Sequence, residues 1–500
     1  MMQFMTTNHD TSHSISRRML LGGAAAWALA LTTISKAIAV AMPTVNHILG
    51  RPTRESIALN LMTPQAGQYA IDYSYSKTKY TSSTSPVEVA KSTPSVIEIS
   101  GLKPNSTIYY RVKYRATSAS SWTYGKQYSF RTARSAGSTF CFTVQGDTHP
   151  ERAGKMFNAG LYAITMANIA FHRPDFHILM GDDFSIDPLI AKGQATAENV
   201  DKVYSTHRTW LGILGATTPL FLVNGNHEQA AQYLIDGTPT SPALFAGKSR
   251  LKYYPLPTSD GFYSADKTII EGIGELRDYY AWTWGDALFV TLDPYWHSKS
   301  AVDNVAGVSN DTAANAKKSG AAGAKATDLW KIGIGDEQYA WFKSVLENSS
   351  AKYKFVFTHH VMGTGRGGIE VSTNYEWGGK DPKGQTTFAE QRPGWELPIH
   401  DLMVKHGVQI FFQGHDHIFV TQERDGIIYQ SLPNPADDTF SMFNESAYKS
   451  GTKAPNSGHV RVTVSPTSAK VDYFLAARPQ DSAKRKNRQV AHSYVVKPSR

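Results

Sequence analysis

Cysteine is almost missing from this chain: Cys141 is the only one in 500 residues. No disulfide can form within the chain, and no thiolate cluster can hold a metal, so a metal site here must be built from nitrogen and oxygen. Cys141 sits in the apolar run FCFTV and reads as a small buried hydrophobe. The composition of a disordered chain is also missing, because 41% of residues are hydrophobic and 11% aromatic, ample for sizeable cores. There is no acidic surplus. The net charge is +9, which suits anionic partners, and much of it lies around Lys484, Arg485, Lys486 and Arg488. That cluster reads as a solvated basic tail, and nucleic-acid binding is not expected.

Long apolar runs are scarce as well. The longest follows Ser16-Arg17-Arg18-Met19-Leu20-Leu21 and ends near Ile34, and it is too short and too rich in Ala, Gly and Thr for a permanent membrane span. With Lys36 and the small-residue run Ala37-Ile38-Ala39-Val40-Ala41 it reads as a twin-arginine signal and cleavage region over residues 1–41. The expected location is periplasmic or secreted, with no stable membrane span after cleavage.

What is present is organised in two styles. Residues 42–134 lack helical periodicity and carry short alternating segments such as SIALNLM, YAIDYSY, VIEIS and TIYYRVKYRA, broken by Gly, Pro and Ser. This predicts a β-sandwich. Beyond Arg134-Ser135-Ala136-Gly137, strands alternate with helical stretches through residue 478, and residues 479–500 form the basic tail. GKMFNAGLYAITMANIAFH and EQYAWFKSVLENS predict helices, and YYAWTWGDALFVTLD predicts a hairpin turning at Gly285-Asp286. Residues 300–327, rich in Ala, Gly, Ser and Lys, predict a surface loop. IIYQSL, HVRVTV and VDYFL predict strands of a second sheet.

Five polar signatures each follow an apolar run of strand length. They are Gly146-Asp147-Thr148-His149, Gly181-Asp182-Asp183, Gly225-Asn226-His227-Glu228, Thr358-His359-His360 and Gly414-His415-Asp416-His417. Singly, each has a plain structural reading: a Gly-Asp turn, an Asn helix cap, a buried histidine. Together and in order they place Asp, Asn and His side chains at the C-terminal ends of several strands, where open α/β sheets bind ligands. A set of oxygen and nitrogen donors of this size predicts a two-metal hydrolytic centre.

The series resembles the calcineurin-like metallophosphoesterases over roughly residues 137–475, and its layout is most similar to the purple acid phosphatases, which carry a fibronectin type III-like β-domain ahead of the catalytic domain. The resemblance implies an α/β four-layer fold, two mixed sheets flanked by helices, preceded by an all-β fibronectin-like sandwich. It implies a metal-dependent phosphoric ester hydrolase acting on small phosphate esters. Phosphomonoesters are the expected substrates, with phosphodiesters as the alternative and a surface binding protein with a structural metal site as a third reading.

The resemblance also implies roles for residues. Asp147, His149, Asp182 and His417 would hold one ion; Asp182, Asn226, His359 and His415 would hold the other, with Fe, Mn or Zn as the expected pair and a bridging hydroxide as nucleophile. His227 would protonate the leaving group. Asn226, His227 and Arg366 are the expected substrate contacts, and Asp183, Glu228 and Asp416 the expected supports of the motif turns. Within residues 363–395, Arg366, Lys380, Tyr375 and Trp377 are candidates to line the cleft. One departure stands out. The purple enzymes carry a tyrosine three residues after the bridging aspartate, where this chain has Ser185, while His149 adds a ligand to the first motif. The metal site is therefore expected to lack a tyrosinate and its colour.

Overall fold

The computed structural model describes residues 45–117, 121–298, 300–302, 329–361, 366–381, 383–483 and 485–499. The expected signal over residues 1–41 and most of the expected 300–327 loop lie outside the described residues.

Two large sheets face each other. The first has nine strands in the order Val490–Val496, Ala469–Leu475, Gly458–Val464, Phe140–Gln145, Phe176–Leu179, Leu220–Leu222, Asn46–Gly50, Ile57–Met62 and Ser95–Ile99. Phe140–Gln145, Phe176–Leu179 and Leu220–Leu222 run parallel, as strands joined by helices must. The second has eight strands, and in it Ala287–Thr291, Tyr353–Phe357, Ile410–Gln413 and Ile427–Ser431 are parallel. Tyr280–Trp284 and Ala287–Thr291 form the expected hairpin.

The layer between the sheets is aromatic. Phe142, Phe176 and Phe221 of the first sheet meet Trp282, Phe289, Phe355, Phe357 and Phe412 of the second. The Phe142 ring stands edge-on to Phe289 at 5.0 Å, and Phe357 stacks on Phe412 at 4.9 Å. Each such side chain stabilises the sandwich by roughly 1.5–3 kcal/mol relative to an exposed one. Outside the first sheet lie the helices Ala159–His172, Ala197–Gly215 and Pro242–Tyr253; outside the second lie Gly335–Glu347 and Ile399–Lys405. The Asn158 side chain accepts the Leu161 N–H at 3.0 Å and starts the first of these helices. The result is the expected four-layer architecture.

The N-terminal β region is a sandwich whose two faces have different owners. Gly67–Ser74, Thr107–Arg115 and Thr123–Arg131 belong to a separate five-stranded sheet. They pack on Asn46–Gly50, Ile57–Met62 and Ser95–Ile99 through Leu49, Leu59, Ile71, Ile97 and Tyr110. Those three strands continue the nine-stranded sheet, since Gly50 pairs in parallel with Leu220. Buried Arg208 secures the junction, bonding Asn46 Oδ1 at 2.9 Å and Asn60 Oδ1 at 2.8 Å.

Two expectations need correction. HVRVTV and VDYFL do not join the second sheet: Gly458–Val464 lies beside Phe140–Gln145 in the first. The pattern of alternation shows a strand but not its partner, and here the partner lies some three hundred residues away. The basic tail is only in part a solvated end: Lys486 and Arg488 are exposed. Val490–Val496 is the edge strand of the nine-stranded sheet, and Arg485 is buried, donating to the Ser457 carbonyl at 2.9 Å.

Candidate metal centre

Every signature lies just beyond the C-terminal end of a central strand. Asp147 and His149 follow Phe140–Gln145, Asp182 follows Phe176–Leu179, and Asn226 and His227 follow Leu220–Leu222. From the facing sheet, His359 follows Tyr353–Phe357, and His415 and His417 follow Ile410–Gln413. His149, Asp182, His415 and His417 all have left-handed backbone, with φ of 48°, 58°, 65° and 51°. Such conformations cost about 1–3 kcal/mol each in non-glycine residues and cluster where a site demands them. The turn glycines have a steric reason. A Cβ on Gly225 would lie 2.3 Å from Asp182 Oδ1, and one on Gly414 would lie 2.4 Å from Asp147 Oδ1.

All seven expected ligands converge, fully buried. His149 Nε2 is 3.0 Å from His417 Nε2, and His417 Nε2 is 3.1 Å from Asp147 Oδ2. Asp182 Oδ2 stands between two groups, 3.5 Å from His149 Nε2 and 3.2 Å from His359 Nε2. Asn226 Oδ1 lies 3.2 Å from His359 Nε2 and 3.1 Å from His415 Nδ1. The neighbours of the rings set their tautomers. His359 Nδ1 donates to the Met180 carbonyl at 2.7 Å, and His149 Nδ1 donates to Glu151 at 2.8 Å. In their neutral forms both Nε2 atoms turn bare lone pairs toward other acceptors. Acceptors facing acceptors in a buried site require cations between them, so the residues present fit metal ions.

Electrostatics agree. Burial alone would lower the pKa of His359, but Asp182 and Asp147 push it up to about 10. Without ions, a proton must supply the positive charge that the carboxylates demand. Burial would likewise raise the Asp182 carboxyl, yet His359 and His227 hold it well below the usual range.

The supports sit where expected. Glu228 accepts backbone N–H bonds from Asp182, Asp183, Phe184 and Gly225 at 2.9, 2.8, 2.9 and 2.7 Å, locking the second motif to the third. Asp183 accepts from Thr148 at 2.8 Å and Gln145 at 3.0 Å. Asp416 accepts from the Gly367 N–H at 2.8 Å and Tyr448 at 2.7 Å. His360 stacks on His415 at 4.6 Å and meets the Tyr295 hydroxyl at 3.2 Å.

Sequence reasoning missed three residues. Asp187 Oδ2 hydrogen-bonds His227 Nδ1. Burial lowers the His227 pKa, but Asp182 and Asp187 bring it up to about 9. Arg152 Nη2 lies 3.2 Å from His227 Nε2, and Glu151 orients His149. All three lie within five residues of a motif aspartate or histidine, which is the only signal that marks them. The candidates of residues 363–395 have different settings. Arg366 Nη1 is engaged with the His415 carbonyl and with Asp416 Oδ1, bracing the fifth-motif turn. Tyr375 and Trp377 are core residues, Trp377 Nε1 donating to the Tyr429 hydroxyl at 2.9 Å, and Lys380 is exposed. Ser185 Oγ is buried with no hydrogen-bond partner among the described residues.

The fold and this cluster define a metallophosphoesterase. The calcineurin-like phosphoesterase family matches residues 141–419, more than half of the chain, and the chain belongs to that family. It is a metal-dependent phosphoric ester hydrolase. Its structure is similar to that of PhoD, at 14% identity and a TM-score of 0.59, over 91% of this chain and 90% of that one. It is also similar to a purple acid phosphatase, PPD1, isolated from yellow lupin (Lupinus luteus) seeds, at 12% identity and a TM-score of 0.56, over 91% of this chain and 74% of that one. At these identities the likeness is one of fold. No curated protein matches by sequence.

Proposed function

We propose that this chain is an exported phosphatase that hydrolyses phosphomonoesters at two metal ions. Asp147, His149, Asp182 and His417 would hold one, and Asp182, Asn226, His359 and His415 the other. The observation that carries this reading is the position of Asp182 Oδ2 between His149 Nε2 at 3.5 Å and His359 Nε2 at 3.2 Å. The mixed carboxylate, amide and imidazole set suits Fe, Mn or Zn. When bound, two such ions supply a polarised water as nucleophile and screen the phosphoryl charge.

The chain's own residues do the rest. Asp182 compensates charge on both sides. Asn226, being neutral, leaves its side more electrophilic. His227 carries the proton for the leaving oxygen, and Asp187 orients its ring through Nδ1. Arg152, beside His227 Nε2, adds positive charge where a phosphate would gather. Export rests on the Ser16-Arg17-Arg18 signature, and replacing both arginines by lysine is expected to leave the precursor in the cytoplasm.

The deciding experiment is a substrate panel at several pH values with Fe, Mn and Zn replenished. Faster turnover of p-nitrophenyl phosphate than of bis-(p-nitrophenyl) phosphate is expected. The reverse preference would make the protein a phosphodiesterase, and no hydrolysis of either by metal-loaded protein would make the centre structural. The loaded enzyme is expected to be colourless or pale, because Ser185 supplies no phenolate.

A further inference from the structure

A second cluster of ligating side chains lies outside the strand-end centre and belongs to none of the five signatures. It consists of Asp266, Asp278 and His297, whose ligand atoms all lie within 4.8 Å of one another. His297 Nε2 is 2.8 Å from Asp278 Oδ2 and 3.8 Å from Asp266 Oδ2. Both aspartates are 1% exposed. Asp266 Oδ1 accepts the Thr268 N–H at 2.9 Å, but Asp266 Oδ2 and Asp278 Oδ1 are buried with no hydrogen-bond donor. One imidazole therefore faces two buried carboxylates, each keeping one oxygen with no donor within hydrogen-bond distance, an arrangement that favours shared positive charge.

We propose that Asp266, Asp278 and His297 form a separate metal site for a divalent transition ion, Zn²⁺ or Mn²⁺. Two carboxylates balance a divalent charge, and the imidazole favours Zn²⁺ or Mn²⁺ over Ca²⁺ or Mg²⁺, which prefer all-oxygen sets. Metal–ligand bonds of about 2.0–2.2 Å span the Asp266–His297 gap and need the Asp278–His297 contact to open by a few tenths of an ångström. Three protein ligands leave a position for water. Asp266 lines a cavity of about 410 Å³ with Lys267, Thr268, Tyr279 and Glu337.

The site also has a structural task. His297 ends the turn that begins at Asp293, and Asp293 Oδ2 accepts from Asn224 Nδ2 at 2.6 Å, two residues before Asn226. Tyr295, in the same turn, reaches His360. An ion at His297 would clamp this turn behind the strand-end centre, so its removal should lower stability more than turnover.

The test is metal content per chain after loading the full-length protein with Zn²⁺ or Mn²⁺ and desalting. Asp278→Asn should lose one equivalent relative to wild type and keep its hydrolytic activity within about threefold. Asp182→Asn should lose metal elsewhere and keep this equivalent, so that added Zn²⁺ still raises its Tm, an effect absent from Asp182→Asn/Asp278→Asn. Anomalous diffraction from Zn²⁺-loaded wild-type crystals should place a peak between the three side chains. The map decides the matter even if the variants fold poorly. No peak there, or equal metal content in wild type and Asp278→Asn, overturns the proposal. A peak here with none at Asp182 would sustain it while removing the two-metal phosphatase reading.

Discussion

The two sheets that meet at the candidate centre contribute unlike chemistry. The nine-stranded sheet brings the carboxylates Asp147 and Asp182, the amide of Asn226, and the histidines 149 and 227. The eight-stranded sheet brings only imidazoles: His359, His360, His415 and His417. Their supports differ in the same way. The carboxylate side is held by charge-assisted bonds, with Glu228 gathering four backbone N–H groups. On the imidazole side, Asp416 gathers the Gly367 N–H, Tyr448 and Arg366, and the rings are set by the Met180 carbonyl and by stacking. The carboxylates among the expected ligands are thus confined to one wall, facing the imidazoles of the other.

The sharpest way to break this division is Asp182→Asn. It removes the charge that both ligand groups share, so loss of at least one metal and near-complete loss of hydrolysis are expected. Metal analysis beside kcat/KM decides it, and a fully metallated, active variant would refute the bridging role.

Next in size is His227→Ala, which leaves the ligands in place. Metal content should hold while turnover falls by about 10²–10⁴-fold, the range of a lost general acid. The loss should be smaller for p-nitrophenyl phosphate than for alkyl phosphates, whose leaving groups need the proton. Equal losses on both would mean that His227 only positions phosphate.

Asp187→Asn should cost less, about tenfold. With Asp182 and Asp187 the imidazole holds its proton up to about 9. Loss of Asp187 lowers that value, so the alkaline limb of kcat for alkyl phosphates should move to lower pH. An unmoved limb would exclude a charge link between them.

A separate effect, on folding rather than turnover, tests the same wall through stability. His47 and His177, both in the nine-stranded sheet, are buried and neutral, with burial lowering each pKa to about 3. The unfolded chain protonates them near 6.5, so their contribution is complete above that pH and is lost as pH falls toward 3. Each costs about 1.4 kcal/mol per pH unit across that window. Urea midpoints measured from pH 7 to pH 4 should fall accordingly, and His177→Gln should flatten the slope; an unchanged slope would remove His177 from the account.

The converging Asp, Asn and His side chains were legible because each sits in a short motif at the end of an apolar strand, where the local pattern and the chemistry coincide. The hairpin at Gly285-Asp286 and the helices Ala159–His172 and Gly335–Glu347 were legible for the same reason. The partner of Arg366 was not legible, because an arginine in a Gly-rich segment carries no sign of what it pairs with, and here it is Asp416. Trp377 misled because an aromatic among glycines reads as surface until a core such as that around Phe411 is known to receive it.

By itself the sequence determined which strand-end side chains are fit to bind metal, that no cysteine cluster is available to do so, and that strands and helices alternate beyond Gly137, because periodicity and motif are local properties of the chain. Tertiary structure alone decided which atoms face one another. It seated Asp187 against His227, brought Gly458–Val464 back beside Phe140–Gln145, turned the basic C-terminal segment into an edge strand, and gathered Asp266, Asp278 and His297 from separate turns. Such contacts between distant residues are set by packing and by the pairing of buried polar groups, which local sequence patterns do not encode.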